Sequence, residues 1–247
     1  MWQNISSDKC AAFIKNHFGS KGKEISESAK KPAITISREE GAGGLTVASS
    51  LADYLKQRSA AQDVWTVFSQ HLVAEVLEEN NLNKNVGDFM KEGHKGTLTD
   101  AIEELLGLHP STWTLVEQTN ATILRLAQMG NVILVGRGGN IITSDLENVF
   151  HVRLVGSLEK RIEQAQKVFN LDRKSAISYI KKKDKARKRY VKDNFDKNID
   201  DPLLYHVTIN TDLVQYDEAA QLIGEEVIRR FKLDTEVKKA ASGSRSI

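Results

Sequence analysis

The segment Ile34-Thr-Ile-Ser-Arg-Glu-Glu-Gly-Ala-Gly-Gly-Leu-Thr-Val-Ala48 constrains the fold more than any other part of this chain. Ala33 to Ile36 is a short apolar run that reads as a strand, and Leu45, Ala48, Leu51, Ala52 and Leu55 then recur at helical spacing. Gly41, Gly43 and Gly44 lie between the two. A strand, a glycine turn and a helix start together aim backbone N–H groups at phosphate. Glycine supplies the positive φ that such a turn needs and lets a ligand approach the backbone, although the same arrangement also occurs as plain packing. The segment departs from the phosphate loop G-x-x-x-x-G-K-[ST]: Arg38 stands at the first Gly and Gly44 at the Lys. Replacing Gly43 with Val is expected to block a ligand while sparing the fold.

At 247 residues the chain suits one large domain or a domain with a small insertion, and its hydrophobic fraction of 40% is that of a globular protein. Neither an apolar run of membrane-spanning length nor a signal-peptide pattern is found, so the expectation is a cytoplasmic protein with no membrane partner. The single cysteine, Cys10, has no Cys or His neighbours at metal-ligand spacing and reads as a bystander thiol. A net charge of +2 argues against an overall nucleic-acid footprint.

Three parts are expected. Residues 1–31 form an N-terminal helical extension whose Ala12, Phe13 and Phe18 offer an apolar patch, on which a homo-oligomer could be built. Residues 32–233 form the fold proper, and 234–247 a flexible tail. Within the fold, Val64–Phe68 reads as the second strand, followed by a helix with Leu72, Val73, Val76 and Leu77 inward. Asn80 to Thr97 is a polar insertion. A helix then starts at Pro110, carries Leu115, Thr119, Ile123, Leu126 and Ala127 inward and stops at Gly130. Val132–Val135, Phe150–Val155 and Tyr205–Ile209 are the remaining strands. Ser157 caps a helix burying Leu158, Ile162, Ala165 and Phe169, and a last helix buries Ala219, Ile223, Val227 and Phe231. Strands alternating with helices, several of them apolar without alternation, predict an α/β fold with a parallel sheet covered on both faces.

Two further elements carry chemistry. Val135-Gly-Arg-Gly-Gly-Asn140 follows the third strand, and strand carboxyl ends face one crevice, so it should meet the first Gly turn there. Arg137 could fork two N–H donors onto a phosphate or carboxylate, or simply face solvent from an ordinary turn. The run Lys181-Lys-Lys-Asp-Lys-Ala-Arg-Lys-Arg-Tyr-Val-Lys192 reads either as a solvated helix face or as a flap over a triphosphate, with Asp184 and Arg187 three apart and able to pair. Glu39 and Glu40 beside a phosphate site would repel it, so at least one is expected to point away or to bind Mg²⁺. Thr46 is a candidate metal hydroxyl, displaced by one position from the usual Ser/Thr, or else a helix cap. His71, His94, His109, His151 and His206 lack metal-ligand spacing and read as surface or satisfied-core residues, and Asp53 and Asp217 as helix surface.

These segments resemble the cytidylate-kinase-like branch of the P-loop nucleoside monophosphate kinases from about Ala33 to Phe231. The carriers are Ile-Thr-Ile-Ser-Arg38 with Gly41-Ala-Gly-Gly44, Val135-Gly-Arg-Gly-Gly-Asn-Ile-Ile142, His151-Val-Arg-Leu-Val155, Asp184-x-x-Arg187, and Asp201-Pro-Leu-Leu-Tyr205 with Asn210-Thr211. The resemblance implies a three-layer P-loop-kinase-like fold with a five-stranded parallel sheet, a helical nucleotide-binding insertion and a short lid. It implies ATP at the first turn, over Gly41, Ala42, Gly43, Gly44, Leu45 and Thr46, with Mg²⁺ at Thr46. It also implies a pyrimidine monophosphate near Arg137 and lid contacts from Arg161, Arg187 and Arg189. Cytidylate kinases keep the phosphate-loop Lys and an acidic residue in the second element, where this chain has Gly44 and Gly138 or Gly139. Arg38 is the expected substitute cation. Two readings follow: phosphoryl transfer from ATP to a nucleoside monophosphate or other small phosphorylated acceptor, or a catalytically silent nucleotide or anion sensor that keeps the fold. A nucleic-acid surface is disfavoured by the near-neutral charge and by Tyr190 being the lone aromatic in the basic run.

Overall fold

A computed structural model describes residue 10 and residues 31–58, 64–69 and 112–233. The expected N-terminal extension beyond Cys10, the helix after the second strand, the polar insertion, Pro110 and the C-terminal tail lie outside the described residues, as do His71, His94 and His109.

Five strands, β1 (Ala33–Arg38), β2 (Thr66–Ser69), β3 (Val132–Val135), β4 (Val149–Val155) and β5 (Val207–Asn210), form one sheet in the order β2-β3-β1-β4-β5. Every pairing is parallel. The central β1 is buried over five of its six residues, as a strand flanked by two neighbours and covered on both faces must be. Helix α1 (Gly44–Arg58) buries Val47, Ala48, Leu51 and Leu55; Leu45 and Ala52 lie at the margin of that stripe, partly buried against the same core. It packs with the last helix on one face of the sheet, closing a core of Ile34, Ile36, Val152, Leu154, Ala219, Ile223 and Val227. The opposite face carries α2 (Thr112–Met129), whose Leu126 and Ala127 meet Phe68, Val132, Leu134 and Val149. Cys10 packs there too, its Sγ on the Val67 carbonyl at 3.4 Å. A short helix, α3 (Gly139–Ile142), follows β3 on the same side.

After β4, α4 (Leu158–Phe169) and α5 (Arg173–Phe195) form a helical hairpin with its own small apolar seam of Ile162, Ala165, Ala176 and Ile180. Ser157 caps α4 by accepting from the Lys160 N–H, and Asp172 caps α5 by accepting from the Ser175 N–H at 2.9 Å. A 3-10 turn (Pro202–Leu204) leads to β5, and α6 (Tyr216–Phe231) closes the chain behind a reciprocal Gln215–Glu218 capping box.

Local expectations fail at three places. The second strand begins at Thr66 because Val64 is 65% exposed, outside the sheet. The fifth begins at Val207, since Tyr205 sends its hydroxyl to the Ile199 carbonyl at 2.8 Å instead of entering the ladder. Leu158 and Phe169 of α4 are exposed, because only the stripe facing α5 is covered; Phe169 instead tilts against Tyr179, centroids 4.9 Å apart.

Candidate active site at the carboxyl ends of the strands

The two glycine elements converge as β1 and β3 are neighbours in register, and the Gly136 N–H donates to the Ile36 carbonyl at 3.2 Å. In the first turn Gly41 and Gly43 have φ of +85° and +79°, a region side chains rarely adopt. Space is as strict as conformation. A Cβ at Gly41 would lie 2.6 Å from the Arg161 carbonyl oxygen, and one at Gly43 2.3 Å from the Tyr216 ring. Val at 43 therefore meets an aromatic ring and a forbidden φ, so it disrupts the turn itself; sparing the fold is not what this geometry allows. Among the described residues, the N–H groups of Gly41, Gly43, Gly44, Leu45 and Thr46 have no hydrogen-bond acceptor, as the first turn of a helix leaves them. Ala42 is buried, with its N–H on the Glu39 carbonyl at 3.3 Å. Thr46 sits half-buried inside the first turn of α1, which removes it from the cap position.

Arg38 ends β1 beside this turn. Its stem runs where a side chain at 44 would go, with Cγ only 2.9 Å from an ideal Cβ on Gly44. Its Nη1 is buried and has no hydrogen-bond partner among the described residues. Burial, then the nearby Arg187 charge, depress the Arg38 guanidinium to about 10; Arg137 and Arg153 add to this, and Glu40 opposes it. Arg137 lies 5.0 Å over the Tyr190 ring, and burial followed by the Arg187 charge pulls its pKa down. Beside it, Phe68, Ser69, Thr119, Ile123 and Leu134 line an apolar cavity of about 20 Å³. That admits roughly one water.

Both carboxylates next to the glycines contact guanidinium groups of the hairpin. Glu39 Oε2 accepts from the Gly156 N–H at 3.1 Å and lies 3.5 Å from Arg161 Nε. Glu40 takes Arg187 Nη2 on its carboxylate and Arg161 Nη1 on its main-chain carbonyl, the latter at 3.2 Å. Asp184 joins the two arginines: Oδ2 accepts from Arg161 Nη1 at 2.6 Å, and Oδ1 from Arg187 Nη1 at 3.3 Å and from the Glu40 N–H at 2.8 Å. The expected Asp184–Arg187 pair is present, and Arg161 and Arg187 are both buried at the turn. Arg189 is not brought in. Two residues beyond Arg187 is about 200° around a helix, so it faces solvent and pairs with Asp193 at 3.0 Å. Lys181, Lys182 and Lys185 are exposed as well. Among the described residues no group of three or more His, Cys, Asp or Glu side chains could hold a metal, and no helix is long and apolar enough to cross a membrane.

Arg153 is a part of the site that motif reading passed over. From the middle of β4 its Nη1 reaches Ser37 Oγ and its Nη2 Asp200 Oδ1, both at 2.9 Å, while Lys188 holds the other Asp200 oxygen at 2.6 Å. The available signal was a lone Arg inside the apolar run His151-Val-Arg-Leu-Val155, since a charge in a buried strand requires a partner. Tyr216, which covers Gly43, offered no signal beyond opening the last helix.

The chain is similar to a crystal structure of an uncharacterized protein from Eubacterium ventriosum ATCC 27560, with 22% identity and a TM-score of 0.58 over 80% of this chain and 98% of that one; this likeness concerns the fold. A shikimate kinase from Acinetobacter baumannii, in complex with shikimate, aligns at 15% identity and a TM-score of 0.41, covering 81% of this chain and 94% of that one. TT1252 from Thermus thermophilus aligns at 16% and 0.41, covering 79% and 97%. Among curated protein sequences none matches. The model of the cytidylate kinase-like family matches residues 33–213, which spans the turn, the Arg137 element, the hairpin and β5, and the chain therefore belongs to that family.

Proposed function

We propose that this protein transfers the γ-phosphoryl group of ATP to a small phosphorylated acceptor, a nucleoside monophosphate of CMP type. The observation that carries the reading is Arg38, a guanidinium with a buried Nη1 that has no partner among the described residues, at the edge of a turn where the N–H groups of Gly41, Gly43, Gly44, Leu45 and Thr46 have no acceptor. A buried donor without an acceptor costs on the order of 1–3 kcal/mol, more when charged, and a bound phosphate would recover it. The N–H groups of Gly41, Gly43, Gly44, Leu45 and Thr46 fit the phosphates of ATP, with Ala42 packed between them, and the Thr46 hydroxyl is the side chain at the turn that would help hold Mg²⁺, the nearby carboxylates being engaged by arginines. Bound there, Mg²⁺ would neutralise charge on the phosphates. Arg38 then stabilises the charge that develops on the transferred group, Arg137 holds the acceptor's anionic group, and Arg161 and Arg187 close from the hairpin. A second reading, a silent nucleotide or anion sensor, draws support from Gly44 in place of Lys and from the ion pairing of Arg161 and Arg187.

Steady-state ATP consumption with a panel of nucleoside monophosphates and small phosphorylated acceptors tests the assignment. Arg38→Ala should lower turnover by about a hundredfold, near 3 kcal/mol of transition-state stabilisation. Gly44→Lys should damage the wild-type protein, where it collides with the Arg38 stem, and partly rescue Arg38→Ala, where that space is open. ATP binding without consumption under every condition would replace the enzyme reading by the sensor.

A further inference from the structure

The turn carries a carboxylate where an anion would bind. Glu40 is anchored at both ends of its residue: its N–H donates to Asp184 Oδ1, its carbonyl accepts from Arg161, and its carboxylate takes Arg187 Nη2. It is also the acidic side chain felt by Arg38, which otherwise faces the like charges of Arg187, Arg137 and Arg153. Gathering these guanidiniums in one buried corner without a counter-ion would be costly. Asp184 also pairs with Arg187 and Asp200 with Arg153, Glu40 adds one further charge beside Arg38, and one Arg38 nitrogen remains unserved.

We propose that the Glu40 side chain is a built-in counter-anion, that ligands bind by displacing it from Arg187, and that this exchange selects polyphosphates over singly charged anions. The proposal rests on the reading of the turn as an anion site. A monoanion that displaces Glu40 replaces one negative charge by another and leaves the cluster as it was, so its Coulombic gain is near zero. A polyphosphate brings two or more charges and more acceptor oxygens than one carboxylate, so it can serve Arg187 and the unpartnered Arg38 nitrogen together. The displaced carboxylate need not carry the backbone with it. Asp184 still holds the Glu40 N–H, and its Oδ2 still holds Arg161, so the hairpin stays seated during the exchange.

Calorimetric titration at constant ionic strength with pyrophosphate and with formate, on the wild-type protein and on Glu40→Gln, tests this. The wild-type protein should bind pyrophosphate and not formate. Glu40→Gln should bind pyrophosphate at least tenfold more tightly and acquire measurable formate binding, losing the discrimination. Equal or weaker pyrophosphate binding by Glu40→Gln, with wild-type binding intact, overturns the exchange and leaves Glu40 as a positioning residue for Arg187. Pyrophosphate binding to neither protein overturns the anion site, and the exchange with it. If circular dichroism shows Glu40→Gln unfolded, arginine side-chain NMR of the wild-type protein decides: the Arg187 guanidinium resonance should move on saturation with pyrophosphate, and an unmoved resonance with pyrophosphate bound refutes the displacement.

Discussion

The two faces of the central sheet are both buried, and they differ along β1 and β4, where one stays apolar and the other turns polar beyond Ala33 and Val149. On the α1 and α6 side, alternate residues of β1 and β4 are Ile34, Ile36, Phe150, Val152 and Leu154. On the α2 and α3 side, the residues between them are Thr35, Ser37, His151 and Arg153, all less than a tenth exposed. Register sets the polar ones side by side, Thr35 with His151 and Ser37 with Arg153, and each pair is hydrogen bonded at 2.9 Å. The layer continues through Tyr205, whose hydroxyl reaches Ser37 Oγ at 3.4 Å, and Asn140, whose Nδ2 donates to the Leu204 carbonyl at 3.3 Å. An apolar face gains stability from area alone and tolerates small shifts. A polar face contributes little net energy, yet each hydrogen bond accepts one geometry. The polar face ends beside Arg38, so the rigid side of the sheet is the one that aims the site.

The largest effect that would test this contrast is on the apolar face. Leu51→Ala, at a fully buried position, should cost about 2–5 kcal/mol in urea unfolding. Anion affinity of the folded protein should stay unchanged; a parallel loss of affinity would show that the apolar face also positions the site. On the polar face, Asp200→Ala strands the buried Arg153 charge and should cost about 3 kcal/mol. Arg153→Met added to it should recover most of that loss of stability while anion affinity falls below that of the wild-type protein. If the double variant keeps wild-type affinity, Arg153 is structural ballast.

Acid provides the most graded test. His151 is held well below its ordinary value, to about 4, first by burial and then by the charges of His206 and Arg230. It is a base whose folded pKa is depressed, so the unfolded chain binds the extra proton between about pH 6.5 and 4. Its contribution is complete above 6.5 and is lost as pH falls through that window, up to about 3 kcal/mol at the acid end. His151→Gln, which still offers an acceptor to Thr35, should flatten stability against pH there in thermal melts. An unchanged slope would assign the acid sensitivity to other groups. His206 accepts the His151 N–H on Nδ1 at 2.9 Å, and burial lowers its own pKa, so it also favours the neutral form.

Legibility in the sequence followed this division. Val132–Val135 reads as a strand to the residue because an unbroken apolar run buried on both faces is its own signal. The turn and α1 were equally open to reading, since positive-φ glycines next to a helical stripe have few alternatives. Tyr205 misled because an aromatic residue before an alternating run looks like strand, whereas its hydroxyl serves Ser37 and Ile199. The pairing of Glu40 with Arg187 spans 147 residues, and that of Arg161 with Glu40 spans 121. No local period encodes such meetings. Charge logic could say that two carboxylates at an anion site must be neutralised, but only the crossing of the hairpin over the turn shows that arginines do it.

Gly44 and Arg38 exclude one another in space, and this has a consequence for how such a site could have arisen. A chain that keeps Arg38 cannot accept Lys at 44 without a collision 2.9 Å from the Arg38 stem. A chain that loses Arg38 first lacks the cation that ends β1 beside the turn. Each single replacement would leave the turn either crowded or without that cation, so the two ways of charging it, from the strand that enters it or from the helix that leaves it, would be exchanged together. A paired exchange at positions 38 and 44 is the signature by which such a change would be recognised.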